Sequence, residues 1–389
     1  MNGCAHKSVR VQSVHKYYQA YCALLGSVEQ LEHCKAEQNL TGLLAHIKQL
    51  WNCAELSDNQ LLGDIAQLNQ IAIEDEQAQL AGHWLPYRYN AKQQQVNWLL
   101  PVGHATEPFQ DEYISRCRQQ CLLNQIIQPC TSLKTVQLQA ENLADVTPAG
   151  FIFHLSRCGS TLISGCLSEL DSTCVLSESP LLTELLLDNN LSPAEQQRYL
   201  QAFINLQGAA FPSRPNMIIK WNAWDIFRWE FIRALYPHVP VIFLVRDPVE
   251  ILASHQKMAG RHMAGDPSLA ICNPVFAPRA TSFLVWRSHV LAALLGEMNK
   301  FIREPRILRV DYRDLDASHI GKIGHHFDLS PNDESFKQVT QRLQFHSKTP
   351  DVAFSNDSRA KQALFTVEDK SGIQQLLMPL YTEFLQSEF

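Results

Sequence analysis

The chain has 389 residues, of which 46% are hydrophobic and 19% charged, a composition that supports a large packed core and excludes global disorder. Thirty-three Lys and Arg against 39 Asp and Glu leave a formal net charge of −6. That balance speaks against sequence-blind binding of nucleic acid or of an anionic membrane, while leaving room for a local basic pocket.

Eleven cysteines are scattered from Cys4 to Cys272 with no C-x-x-C pair. Neither a disulfide framework nor a zinc site is expected, and reduced thiols in a soluble, cytoplasmic protein are the reading adopted. The opening MNGCAHKSVRVQS holds no apolar stretch of a signal peptide, and no apolar run approaches 18 residues, so neither export nor a membrane span is expected.

Residues up to about 80 read as helices. Thr41 is placed to cap a segment whose apolar positions Leu43, Leu44, Ile47, Leu50 and Trp51 share one face. Ser57 and Gln60 have capping-box spacing ahead of Leu61, Leu62, Ile65, Leu68 and Ile71. Residues 84–90 and 95–100 then read as a short β-hairpin. Residues 1–145 carry no chemical motif, and packing and cover over a substrate site are the roles expected of them. Residues 146–389 form the second unit.

After Pro148 the texture changes to short apolar runs at 151–155, 173–176, 217–219, 241–245 and 307–310, separated by helical stretches. Near-continuous apolar strands with crossover helices predict an α/β unit with a parallel sheet of about five strands covered on both faces. Ligands in such sheets bind beyond the carboxyl ends of the strands.

The first of these strands runs into Ser156-Arg-Cys-Gly-Ser-Thr161 and then into the helical residues 162–170. A strand, a small-residue turn and a helix N-terminus make an anion site, because backbone N–H groups and the helix dipole face the ligand. Gly159 allows close backbone approach, Ser160 and Thr161 add hydroxyls, Leu162 opens the helix and Arg157 brings a full charge. The Walker A spacing and its lysine are absent. Cys158 is read as a small loop residue, with a lowered thiol pKa expected from the loop's position; a cysteine-phosphatase cradle would need arginine where Ser164 stands. An ordinary Ser-capped turn is the plainer reading of the same residues.

The fourth strand ends in Arg246-Asp-Pro-Val-Glu-Ile-Leu-Ala-Ser254. Asp247 fits the N-cap and Pro248 the first helical position. Arg246 is thus placed at the carboxyl edge of the sheet, with Ser254 about two turns into the next helix. Together they could clamp a second phosphate, or Arg246 could simply pair with Asp247 or Glu250. Two anion sites on neighbouring strand ends suit a nucleoside with a phosphate at each end.

The pair SRCGSTL at 156–162 and RDPVEILASHQKM at 246–258 resembles the sulfotransferases that use 3′-phosphoadenosine 5′-phosphosulfate (PAPS). In that family a P-[KR]-S-G-T-type loop cradles the 5′-phosphosulfate, and an R-[DN]-P…S motif with eight positions from Arg to Ser binds the 3′-phosphate. Asp311-Tyr-Arg-Asp-Leu315 resembles the family's Y-E-D-L segment. The likeness spans roughly residues 148–370. It implies a parallel α/β sheet, PAPS as co-substrate, no metal, and sulfuryl transfer to a hydroxyl or amine of a small-molecule, carbohydrate or peptide acceptor.

The chain also departs from the family. Ser156 stands where proline is usual, Cys158 where serine is usual, and Lys220-Trp221-Asn222 keeps the lysine of a K-x-H segment without its histidine base. Glu178, beyond the second strand, is the candidate base, as the resemblance to carbohydrate and tyrosyl sulfotransferases implies; otherwise it caps the helix starting at Pro180. His154 and His255 are rivals. Lys220 and Arg157 are expected to neutralise the leaving phosphate. Lys348, Arg359 and Lys361 around Phe354 resemble the family's basic segment over the 3′-phosphate. Trp286 and Arg287 read as core and surface of an amphipathic helix. An ATP-dependent kinase, or a nucleotide-binding protein that has lost catalysis, are the alternatives.

Overall fold

The computed structural model describes residues 15–74, 78–278, 282–329, 333–343, 345–346, 349–353 and 358–386. Four helices come first: α1 (Tyr18–Gly26), α2 (Val28–Ala36), α3 (Leu40–Leu50) and α4 (Asp58–Leu68). Helix α3 buries Leu43, Leu44 and Ile47 as its spacing requires. Its cap is Asn39 rather than Thr41. The Asn39 backbone is extended and its side chain accepts the Thr41 N–H at 2.9 Å, so Thr41 lies within the first turn. The capping box of α4 forms as expected, with Gln60 N–H donating to Ser57 Oγ at 3.3 Å and Ser57 N–H donating to Gln60 Oε1 at 3.0 Å.

The hairpin is part of a four-stranded sheet, of which β1 (Ala72–Ile73) and β4 (Cys130–Ser132) had no clear pattern in the sequence. Strands β2 (Leu85–Asn90) and β3 (Gln95–Leu99) pair antiparallel with Leu85 opposite Leu99, and the order is β1-β4-β3-β2. Helices α5 (Gln110–Gln120), α6 (Leu123–Ile126) and α7 (Leu133–Glu141) complete this part.

The second sheet holds β5 (Gly150–His154), β6 (Thr173–Ser177), β7 (Asn216–Lys220), β8 (Val241–Val245) and β9 (Ile307–Asp311). All are parallel, in the order β6-β7-β5-β8-β9. Every residue of β5, β6 and β8 is buried, the burial expected of strands covered on both faces. Helices α8 (Ser160–Ser168), α9 (Pro180–Leu186), α10 (Pro193–Ala209), α11 (Trp229–Leu235), α12 (Pro248–Lys257), α13 (Arg261–Ala264) and α14 (Phe283–Phe301) follow in chain order, then α15 (Ala317–His326), α16 (Asp333–Arg342), α17 (Ser358–Gln362) and α18 (Val367–Gln386). The fold is therefore α/β, as the alternation of apolar runs predicted. Strand β5 is central, and its neighbours β7 and β8 lead away to opposite sides. That divergence opens a crevice beyond its carboxyl end.

Buried residues from both parts form one apolar cluster, from Tyr17 to Phe384. Polar ties reinforce it: Tyr89 Oη donates to Asp188 Oδ2 at 2.6 Å, and Gln207 Nε2 donates to the Pro86 carbonyl at 3.1 Å. Trp286 is buried in α14 with its Nε1–H on the Val275 carbonyl, and Arg287 caps the Met263 carbonyl, so both are structural. The ten described cysteines are all free. Among the described residues no helix is long and apolar enough to cross a membrane.

Candidate active site

The loop between β5 and α8 is built from backbone that side chains rarely tolerate. Ser156 has φ +63°, Arg157 +53° and Gly159 +96°, and each left-handed non-glycine residue costs about 1–2 kcal/mol. Successive residues of this hand turn the chain sharply between β5 and α8. Only glycine fits at 159, because a Cβ there would lie 2.5 Å from the Tyr312 ring. The amides opening α8 have no intrahelical acceptor and point with the helix dipole toward this turn.

Cys158 is placed differently from its loop neighbours. Its thiol is fully buried, donates to the Leu244 carbonyl at 3.4 Å and does not line the cavity. Burial pushes its pKa up to about 12. The lowered thiol pKa expected from the loop is thus corrected: the side chain turns away from the dipole and into the sheet.

Beyond β6, Glu178 also holds a left-handed φ of +53°, a strain characteristic of functional positions. Its N–H donates to the Lys220 carbonyl at 2.7 Å. Its Oε1 lies 3.1 Å from Lys220 Nζ and 3.5 Å from His154 Nε2. Burial alone would raise its pKa, but Lys220 and then His154 outweigh that and hold the carboxyl at about 2. Glu178 does not cap α9: that N-cap is Ser179.

Lys220 is 0% exposed and does not line the cavity. Its ammonium also donates to the Pro108 carbonyl at 3.1 Å and lies over the Phe109 ring at 5.1 Å. The segment ahead of α5 seals it from above, so its charge acts on Glu178 rather than directly on the contents of the cavity. Where the family motif has histidine, Asn222 donates through Nδ2 to Thr183 Oγ1 at 2.5 Å, and its N–H donates to Asp225 Oδ2 at 2.9 Å. Burial lifts Asp225 to about 7.

At the other end, Arg246 follows β8 and is 7% exposed. It pairs with Glu250 through Nε at 2.7 Å and through Nη2, and lies over the Tyr312 ring at 4.0 Å. Asp247 caps α12 by accepting the Val249 and Glu250 N–H groups, with Pro248 at the first position. Ser254 Oγ donates back to the Glu250 carbonyl at 2.8 Å. Lys361 from α17 is buried nearby. Lys348, Phe354 and the side chain of Arg359 lie outside the described residues.

One cavity of about 1100 Å³ is lined at once by Arg157, Gly159, Ser160, Thr161, Leu162, Glu178, Arg246, Ser254 and Lys361. Arg157, whose Nη2 donates to the Met258 carbonyl at 2.8 Å, and Arg246 therefore face a single space. His255 is fully buried and is absent from that lining. Several residues of the lining lie outside the candidates of the sequence. Tyr312 lay in a quoted motif and could have been singled out, but Trp224, His262 and the hairpin residues Arg88–Lys92 carried no local signal. His262 is buried against Trp224 with centroids 5.6 Å apart, and burial drives its pKa down to about 3. Among the described residues no group of three or more His, Cys, Asp and Glu could hold a metal ion.

The arrangement is a nucleotide-sized cavity on a doubly wound sheet, with cationic anchors at two places and a carboxylate between strand ends. No family model and no curated protein matches the sequence. Among solved structures, a sulfotransferase of Mycobacterium avium (STF9) is similar at 12% identity and a TM-score of 0.40, covering 64% of this chain and 78% of its own. The sulfotransferase domain of the curacin biosynthetic pathway shows 18% identity and 0.36, covering 62% and 96%. Mouse SULT7A1, solved with PAP, shows 11% and 0.39, covering 65% and 89%. Likenesses this distant fix no residue's role, which has to come from the geometry above.

Proposed function

We propose that the protein is a PAPS-dependent sulfotransferase with Glu178 as general base. The observation that carries this reading is the sharing of one cavity by Arg157 and Arg246, with Glu178 in the same lining. A nucleoside phosphorylated at both ends needs two separated anion sites in one space. The residues present fit that need: a strained loop and helix N-terminus supply amides at the Arg157 end, and a buried guanidinium supplies charge at the Arg246 end. The bound donor supplies a sulfuryl group on an activated phosphate. Arg157 and the loop amides stabilise negative charge on that phosphate as its bond to sulfur breaks. Arg246, Ser254 and Lys361 hold the 3′-phosphate.

Glu178, charged in the free protein, accepts the proton of the acceptor hydroxyl or amine as the new bond to sulfur forms. A carboxyl near 2 is a weak base. An anionic donor close by raises its pKa by like-charge repulsion and so strengthens it. In-line placement and charge neutralisation supply most of the rate, as in phosphoryl transfer. Residues 88–92, Phe109 and Asp111 also line the cavity, which supports a role for the region 1–145 in shaping the acceptor site. The cytoplasm, where PAPS is available and thiols stay reduced, is the proposed location.

Calorimetry with 3′,5′-bisphosphoadenosine and with ATP plus magnesium tests the donor site; tighter binding of ATP would transfer the assignment to a kinase. Release or transfer of labelled sulfate from PAPS then separates an active enzyme from a protein that only binds the nucleotide.

A further inference from the structure

We propose that His154 is a positioning residue that ties the phosphate loop to Glu178: the loop's own backbone holds the imidazole in its Nε2–H form, and that N–H lies beside the Glu178 carboxylate. The inference deepens the assignment of Glu178 as base and rests on it.

The argument starts from Ser156. Its N–H donates to His154 Nδ1, two residues earlier, at 2.9 Å. A backbone N–H can only donate, so Nδ1 must keep its lone pair and cannot carry a proton. The single proton of a neutral ring is then on Nε2. The group beside Nε2 is an acceptor, the Glu178 carboxylate, whose Oε1 lies at 3.5 Å in an electrostatic contact rather than a formed hydrogen bond. The ring is 2% exposed, so water does not offer it another partner, and burial disfavours the imidazolium.

Two consequences follow. His154 has no lone pair left to take a proton from an acceptor, so it is not the base, although it lines the cavity beside Glu178. The left-handed loop, the tautomer and the orientation of the carboxylate are one unit. The other titratable groups around Glu178 are Lys220 from β7, Arg157 from the loop, Asp225 from the turn after β7 and His262 from α13, which burial keeps neutral.

Two measurements test this. In protein labelled with ¹⁵N-histidine, the His154 ring is expected to show the Nε2–H tautomer from pH 5 to pH 9, with and without 3′,5′-bisphosphoadenosine. A protonated Nδ1 or an imidazolium in that range overturns the proposal without touching the role of Glu178. The second measurement is hydrolysis of PAPS, with water as acceptor, by His154→Phe. At saturating PAPS the rate is expected to fall about 10- to 100-fold, and the acid limb of the pH–rate profile to move to higher pH as Glu178 loses a neighbouring N–H. An unmoved limb reduces His154 to a structural role and overturns the proposal. Hydrolysis by Glu178→Gln at the parent rate would instead overturn the base itself.

Discussion

The two ends of the cavity are built by opposite means. At the Arg157 end Ser156, Arg157 and Glu178 all hold left-handed φ values, with Gly159 beside them. The proposed binding there depends on where the backbone points. At the Arg246 end the chain is relaxed: Asp247 caps α12, Pro248 opens it, and Arg246 and Ser254 project from ordinary strand and helix. The proposed binding there depends on single side chains, of which Arg246 is already held by Glu250 and Tyr312. Substitutions should accordingly act through geometry at one end and through lost charge at the other.

The largest effect expected is at the strained end. Glu178→Gln should lower sulfuryl transfer by about 10²- to 10⁴-fold while bisphosphonucleotide affinity stays within a few-fold, as calorimetry would show. The same variant carries a pH signature. Because Lys220 and His154 hold the folded carboxyl at about 2, below the ordinary 4.5, its contribution to stability is complete above the unfolded pKa. It is lost as pH falls from about 4.5 toward 2. Urea midpoints between pH 6 and pH 3 should fall less steeply for Glu178→Gln than for the parent; parallel slopes would contradict the ion pair.

At the relaxed end, Arg246→Ala should weaken 3′,5′-bisphosphoadenosine by about 100-fold, the scale of roughly 3 kcal/mol for a charged hydrogen-bonded contact, and leave the fold intact by circular dichroism. Affinity equal to the parent would remove the 3′-phosphate from this position. Gly159→Ala tests the geometric end without changing any charge. A φ of +96° and a Cβ 2.5 Å from the Tyr312 ring should cost about 1–2 kcal/mol, read as about a 10-fold loss of affinity. The smallest effect is at Cys158. With its thiol pKa pushed up to about 12 and its side chain buried, it should resist iodoacetamide at pH 8 in the native protein. Cys158→Ser should change nucleotide affinity less than about 3-fold. Rapid alkylation of the native loop would restore the expectation of an acidified thiol.

Much of the sheet was legible in advance. Strands β5 to β9 are apolar runs, and burial on both faces selects such runs whatever their neighbours. The α12 start was equally plain, since Asp247 and Pro248 act on their own next few residues. Strands β1 and β4 were not, because two and three residues are too few for periodicity to register. Asn39 was passed over as the cap of α3 because Thr41 offers a similar oxygen two positions on.

The active-site contrast follows the same rule. That residues 156–162 and 246–254 could each hold an anion was written in local order: strand, turn, helix. That they face one cavity depended on β8 pairing beside β5, which no local pattern encodes. Glu178 could be nominated from its place after β6. Its partnership with Lys220 and His154 brings together the ends of three strands far apart in the chain, and Pro108 seals Lys220 from a segment more distant still.

The amino-acid order by itself determined which stretches become strands and helices and where their termini lie, because propensity, capping and apolar patterning act over a few residues. Only the tertiary structure decided which termini meet, which carboxylate is ionised and which lysine is covered. Those outcomes depend on distance and burial, and both exist only once the sheet has assembled.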